Sequence, residues 1–496
     1  MPREDSEAHS RPDRAAVARR RRRAKQLPIG QRRARLIVSL AAFVLVIAVI
    51  ANGIGSRSGV PGPPAAAIVD GAGPGDPFAY RSAREADFIA RATAGNAHVL
   101  FSKSPGGAVA TAARVAAFRP AIDRAVAGTG IDPNLLEGLV FVESAGRADA
   151  LAGSDPASAA GLTQILAATG QSMLGMHIDL AASRRLLKRI AAVENGARGR
   201  LGPLLAQLRA ADERFSTTKA LAATVRYLET ARHQFGRTDL AIESYHMGIG
   251  NLHQVLSDYD GGAAVPYAQL YFDSSPGRHA AAFRLMAGFS DDSVLYYWRV
   301  LGAVAVMHLY RTDRAALERL ASLQTADDAG GAVLQSRTPP YGDPAALSTA
   351  YRHRELVPLP SNAAALGIGV LPSMGSGARA VGAPPALYRG LRPVALRLLI
   401  DLVAGVRRLS GVRAPLTIAS TVQDSRYQDR EGIYYAPSAT GFSFEIERRY
   451  ANGAQAGALQ ATLDRLQSLN LIAWAREPAT IEVTVASDAA AWLASE

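Results

Sequence analysis

The chain contains no cysteine. No disulfide can staple it, and no thiolate can hold a metal. This absence does not argue against an extracytoplasmic location; it means that the folded part is stabilised by its core alone. Aromatic residues are scarce at 6%, against 48% hydrophobic residues overall, a balance that suits an Ala-rich helical globule. No internal repeat is visible, and 496 residues are enough for two or three domains. A basic face is also missing, despite the net charge of +12. Residues 1–35 hold 12 Lys/Arg and 4 Asp/Glu, a net +8, which leaves only +4 for the other 461 residues. The basic excess belongs to a tail, and nucleic-acid binding is not expected.

Residues 36–55 follow that tail as an uncharged stretch of 20 residues. At about 1.5 Å per residue this is long enough to span a hydrocarbon core. The arginines before it should stay in the cytoplasm, so the rest of the chain is expected outside the inner membrane. A cleavable signal peptide is the alternative. The long basic region and the lack of a clear small-x-small site before Pro61 favour an uncleaved anchor. Residues 56–82, rich in Gly, Pro and Ala, read as a linker.

The most informative residue is Glu143, in the run LVFVESAG at 139–146. Asp132 and Pro133 supply an N-cap acceptor and a first-turn proline, and Gly146 suggests the stop. Leu136, Leu139 and Val140 share a helix face with Glu143. A carboxyl among such side chains loses hydration and keeps its proton to higher pH, as a general acid requires. The plain alternative is a helix-end Glu whose carboxyl reaches solvent. Asp149 and Asp155 follow closely but read as polar loop residues.

Two more segments bear on Glu143: GLTQ at 161–164 and AIESYHMGIGN at 241–251. Together with Glu143-Ser144 they resemble, in order and spacing, the soluble-lytic-transglycosylase (SLT) domain, which shares the lysozyme-like fold. The resemblance covers roughly residues 115–310. It implies a peptidoglycan lytic transglycosylase with Glu143 as sole acid/base, forming 1,6-anhydromuramate without water and needing no cofactor or metal. It also implies that Ser144, Gln164, His246, Gly248 and Gly250 line the substrate, and that Tyr245 holds the catalytic carboxyl in place. Three positions depart from the family pattern: Thr163 stands for methionine, Ser244 for alanine and His246 for asparagine. His246 could bind sugar, tune Glu143 or simply occupy the surface. Residues 285–310 read as a late helix whose Tyr296, Tyr297 and Trp298 are expected to serve core packing more than sugar stacking.

The expected organisation is a tail (1–35), a transmembrane helix (36–55), a linker (56–82), a mainly α lysozyme-like domain (83–315), a Pro/Gly-rich, partly ordered connection (316–385) and an α+β domain (386–496). The α+β pattern, with IAWAREP at 472–478, resembles the D-Ala-D-Ala carboxypeptidase-like (peptidase M15, VanY-like) domains. Its zinc positions read Ser438, Glu445 and Glu482, and Gln423 replaces an arginine. This is a poor zinc set, so a pseudo-peptidase that binds stem peptide, or a plain packing module, is expected. The alternative for the whole chain is a non-catalytic peptidoglycan-binding scaffold.

Overall fold

A computed structural model describes residues 76–494, apart from 290, 336–337 and 434–435, together with the backbone of residues 36 and 37. The first lobe is helical. Among its helices are α1 (Glu85–Gly95), α2 (Ala108–Ala116), α3 (Arg119–Val126), α4 (Pro133–Ser144), α5 (Leu180–Glu194) and α6 (Leu201–Ala211). These are followed by α7 (Thr217–Phe235), α8 (Thr238–Met247), α9 (Ile249–Asp260), α10 (Tyr267–Asp273) and α11 (Tyr296–Thr312).

Helix α4 starts as its sequence dictates: the Asp132 side chain accepts from the Asn134 amide at 2.8 Å, and Pro133 occupies the first turn. Leu136, Leu139 and Val140 are fully buried, each contributing about 1.5–3 kcal/mol relative to exposure. The helix stops one residue earlier than Gly146 suggests, because Ala145 itself is left-handed at φ 54°. Arg114 Nε donates to the Ala145 carbonyl at 3.0 Å and so satisfies that helix end. At Gly138 a Cβ would lie 2.8 Å from the Val300 carbonyl. The bare backbone there lets α4 and α11 approach closely.

Helices α5 and α6 form a hairpin with a small core of Leu186, Ile190, Leu204 and Leu208, closed by Phe215. Below it, the fully buried Arg214 pairs with Asp212 at 2.7 Å. It also donates to the carbonyls of Pro156, Ser158 and Ile165 at 2.6, 2.8 and 3.2 Å. One guanidinium thus gathers the loop that carries residues 161–164. Gly161 is left-handed at φ +80°, and a Cβ on it would sit 1.9 Å from the Arg214 carbonyl.

The second lobe is α+β. Its main sheet has the strand order β1-β7-β8-β6-β5-β3, with β1 (Leu36–Ile37), β3 (Ile368–Val370), β5 (Leu416–Ser420), β6 (Ser443–Glu447), β7 (Ile472–Arg476) and β8 (Thr480–Val485). Among the described residues β3 and β5 run parallel and the other pairs of this sheet antiparallel. Strands β2 (Val357–Pro358) and β4 (Gly390–Leu391) form a separate antiparallel pair. Helices α15 (Pro393–Ser410) and α16 (Gly453–Ser468) pack on each other, and α16 packs on β7.

Residues 316–385 are not the partly ordered connection that their Pro and Gly content suggests. They continue α12 (Arg314–Gln324), then form α13 (Ala329–Leu334) and α14 (Pro344–Arg352). Tyr341, Leu347, Leu356 and Tyr388 bury a core with Val422 and Tyr427 of the second lobe. Glycine and proline serve here as turn and cap residues between short packed elements.

The lobes share one core. Trp492, on the closing helix α17 (Ala489–Ala494), meets Phe88 edge-on at 5.0 Å beneath the Arg84 guanidinium. Arg465 donates to Asp76 at 2.7 Å, to the Phe272 carbonyl at 3.2 Å and to the Phe78 carbonyl. Among the described residues no helix is long and apolar enough to cross a membrane. The expected span at 36–55 lies outside them except for Leu36 and Ile37, which pair antiparallel with β7 rather than opening a helix.

Candidate active site

Glu143 closes helix α4 with its side chain half-buried. The Tyr296 hydroxyl, at the start of α11, donates to Glu143 Oε1 at 2.6 Å. Burial pushes the Glu143 carboxyl up to about 7, and the Tyr296 hydrogen bond holds it back by favouring the anion. Near neutral pH the group is therefore divided between acid and base.

Tyr245 does not hold this carboxyl, contrary to expectation. Its hydroxyl donates to the Thr163 carbonyl at 2.7 Å and lies 3.2 Å from Thr224 Oγ1. Its ring stacks at 6.3 Å on that of Tyr296, so it supports the phenol that does the holding. The physical reason is reach: α8 brings Tyr245 to the 161–164 loop, and the first turn of α11 brings Tyr296 to the end of α4.

Gln164 is left-handed at φ 48°, and its amide donates to the Gly161 and Ala150 carbonyls at 2.9 and 3.1 Å. It braces the loop beside Thr163. Ser144 is buried and its hydroxyl bonds back to the Val140 carbonyl at 3.3 Å. It faces its own helix, not a cleft. His246 is exposed, stacks at 5.2 Å on Tyr296, and places Nδ1 2.9 Å from Ser293 Oγ. Although the residue is exposed at its edge, the partial desolvation of its ring lowers its pKa, helped by the Arg299 charge and opposed by Asp291 and Asp292. Gly248 is the hinge between α8 and α9, and Gly250 is exposed in the first turn of α9. Glu143, Tyr245 and His246 thus converge on Tyr296, with Gln164 one residue beyond the carbonyl that Tyr245 binds; Ser144 and Gly250 stand apart. Asp149 and Asp155 are exposed loop residues, and Asp155 is held anionic by the Ala157 amide and by Arg184 at 2.9 Å.

Residues 120–264 match the family model of the transglycosylase SLT domain. This family indicates lytic transglycosylase activity, a lysozyme-like action on peptidoglycan, and the helical lobe is consistent with its fold. The match takes in Glu143, Gln164, Tyr245 and His246 but stops before Tyr296, and it covers less than a third of the chain. No curated protein matches the chain.

The match gives no support to the peptidase M15-like reading of residues 386–496. In that lobe Glu445 and Glu482 face each other across β6 and β8. Burial and the Glu445 charge push Glu482 up to about 8. Ser438 is buried in the turn before β6. Among the described residues no three His, Asp or Glu side chains converge as a metal site.

The sequence points to core packing for Tyr296 and does not single out Glu243, so it misses the role of both. Nothing in local spacing marks Tyr296, whose bond to Glu143 spans 153 positions. Glu243 did leave a signal. It sits in the buried stripe of α8 between Leu240 and Met247, the same pattern that singled out Glu143.

Proposed function

We propose that this protein is a membrane-anchored lytic transglycosylase that cleaves the bond between N-acetylmuramate and N-acetylglucosamine in peptidoglycan, with Glu143 as both acid and base. The observation that carries this reading is a helix-end carboxyl poised at about 7 and held by a single phenol. Protonated Glu143 gives its proton to the glycosidic oxygen as the bond to the muramate C1 breaks. The carboxylate so formed takes the proton of the muramate C6 hydroxyl as O6 closes on C1. Glu143 is restored, no water is consumed, and the muramate leaves as its 1,6-anhydro form. One group serves both steps because the first transfer creates the base that the second needs. A hydrolase would need a second carboxylate flanking the bond, and the exposed, ion-paired Asp155 is poorly placed for that role. Ser144 enters this reading as a brace of α4, and His246 as the substrate-facing polar group. The uncharged segment 36–55, with its arginine-rich N-terminal flank, would fix the enzyme to the bacterial cell membrane with the lobes on the peptidoglycan side, and Leu36 and Ile37 would then give up their pairing with β7.

The test is mass spectrometry of muropeptides after the purified protein meets peptidoglycan. Anhydromuramate ends, one water lighter than muramidase products, are expected, and Glu143→Gln should abolish them while leaving circular dichroism unchanged. Reducing ends would mean a hydrolase. No products, with the protein still pelleting with sacculi, would favour the non-catalytic scaffold.

A further inference from the structure

The first turn of α11 aims the Tyr296 hydroxyl, and three side chains pin that turn and the one before it. His246 reaches Ser293. The Tyr267 hydroxyl donates to the Val294 carbonyl at 2.7 Å. Glu243 Oε2 accepts the Tyr297 amide at 2.9 Å. That amide belongs to the first turn of α11 and has no carbonyl partner within its own helix. A carboxyl is the group best suited to take it.

Glu243 is fully buried. Its other oxygen, Oε1, accepts no hydrogen bond, although the Tyr267 hydroxyl lies against the carboxyl. Burial pushes this group up to about 8, opposed by the Tyr297 amide, by Tyr267 and by the Arg299 charge. At neutral pH it is mostly the neutral acid, and a proton on Oε1 can be given to the Tyr267 oxygen. The other groups facing it are Tyr271 of α10 and Tyr296 of α11. Arg299 is itself paired with Asp292 at 2.7 Å.

We propose that Glu243 is a positioning residue of the glycan-cleaving site: by accepting the Tyr297 amide it fixes the first turn of α11 and so aims the Tyr296 hydroxyl at Glu143. This rests on Glu143 being the acid of the reading above. Glu243 touches neither Glu143 nor substrate and acts through Tyr296 alone. Tyr245 and Tyr296 are the titratable groups that face Glu143, so a change in the aim of Tyr296 registers directly in Glu143.

The experiment follows the Glu143 carboxyl by carbon-13 NMR across pH in the full chain, assigned by its loss in Glu143→Gln. Tyr296→Phe removes the donor and should raise the titration midpoint by about one pH unit. Glu243→Leu should raise it by a similar amount, and the double variant should go no further. Glu243→Gln keeps an acceptor for Tyr297 and a donor for Tyr267, and should leave the midpoint in place. If Glu243→Leu does not fold, Glu243→Asp, which withdraws the carboxyl by one methylene, should show the same rise. A midpoint unmoved by Glu243→Leu or Glu243→Asp while Tyr296→Phe moves it would overturn the proposal. So would a double variant in which the two shifts add. Because the readout needs no turnover, a protein that makes no anhydromuramate would sink the function reading separately, while the midpoints still decide the role of Glu243.

Discussion

Glu143 and Tyr296 form a two-residue device whose behaviour depends on one proton. The phenol stabilises the anion, so its removal makes the carboxyl a weaker acid. The first chemical step needs Glu143 protonated, and the alkaline limb of the pH profile should therefore report its pKa. Tyr296→Phe is expected to move that limb to higher pH by about one unit, measured as initial rates of muropeptide release from pH 5 to 9. Tyr245→Phe should leave the limb nearly in place, because its hydroxyl serves the Thr163 carbonyl. Glu143 was legible in the sequence because its neighbours Leu136, Leu139 and Val140 lie within two turns of it. Its partner was not, since a helix face can be read from spacing, whereas a contact between α4 and α11 arises only from tertiary packing. The motif tyrosine drew attention to Tyr245, one ring away from the phenol that reaches the carboxyl.

At the scale of elements, the site is the crossing of α4 and α11, and Gly138 sets its depth. Gly138→Ala would drive a methyl group against the Val300 carbonyl and the Val304 side chain. It should cost about 1–3 kcal/mol as overpacking, seen as a lower melting temperature, with cleavage falling further than stability explains because Tyr296 rides on the displaced helix. Glu137 ties the same crossing together. It is fully buried, lies 3.3 Å from Arg119 and pairs with Arg311. Glu137→Leu would remove the anion shared by Arg119 and Arg311, which are partly exposed, and Arg119 would keep Asp123 at 2.7 Å; the loss should be about 1–3 kcal/mol, readable by urea denaturation. The elements themselves were largely legible. Asp132-Pro133 marks the start of α4, and the late helix expected over 285–310 overlaps α11. The ordered packing of residues 316–385 was not, because Tyr341 and Leu347 find partners in Val422 and Tyr427, far along the chain and silent in any local pattern.

At the scale of the whole molecule, four carboxyls among the described residues hold protons well above the ordinary range: Glu143 at about 7, Glu243 and Glu482 at about 8, against 4.5, and Asp328 at about 6, against 3.8. Between about pH 4 and 8 these groups therefore bind more protons in the native state than in the unfolded chain. Stability from these groups is fully present on the acid side and is lost as pH rises through that window. Glu482→Gln removes one such group from beside Glu445. It should raise the melting temperature at pH 8 by about 2–4 °C and change little at pH 5, as read by scanning calorimetry. The join between lobes carries a further consequence, a mechanical one. Asp76 is clasped by Arg465 and Arg408 of the second lobe, while Arg465 also grips the Phe272 carbonyl of the first. A pull reaching Asp76 along the chain would meet this clasp before any helix of the first lobe. The load would be shared by both lobes at the seam, and the enzyme could be tugged without its first helix being peeled away.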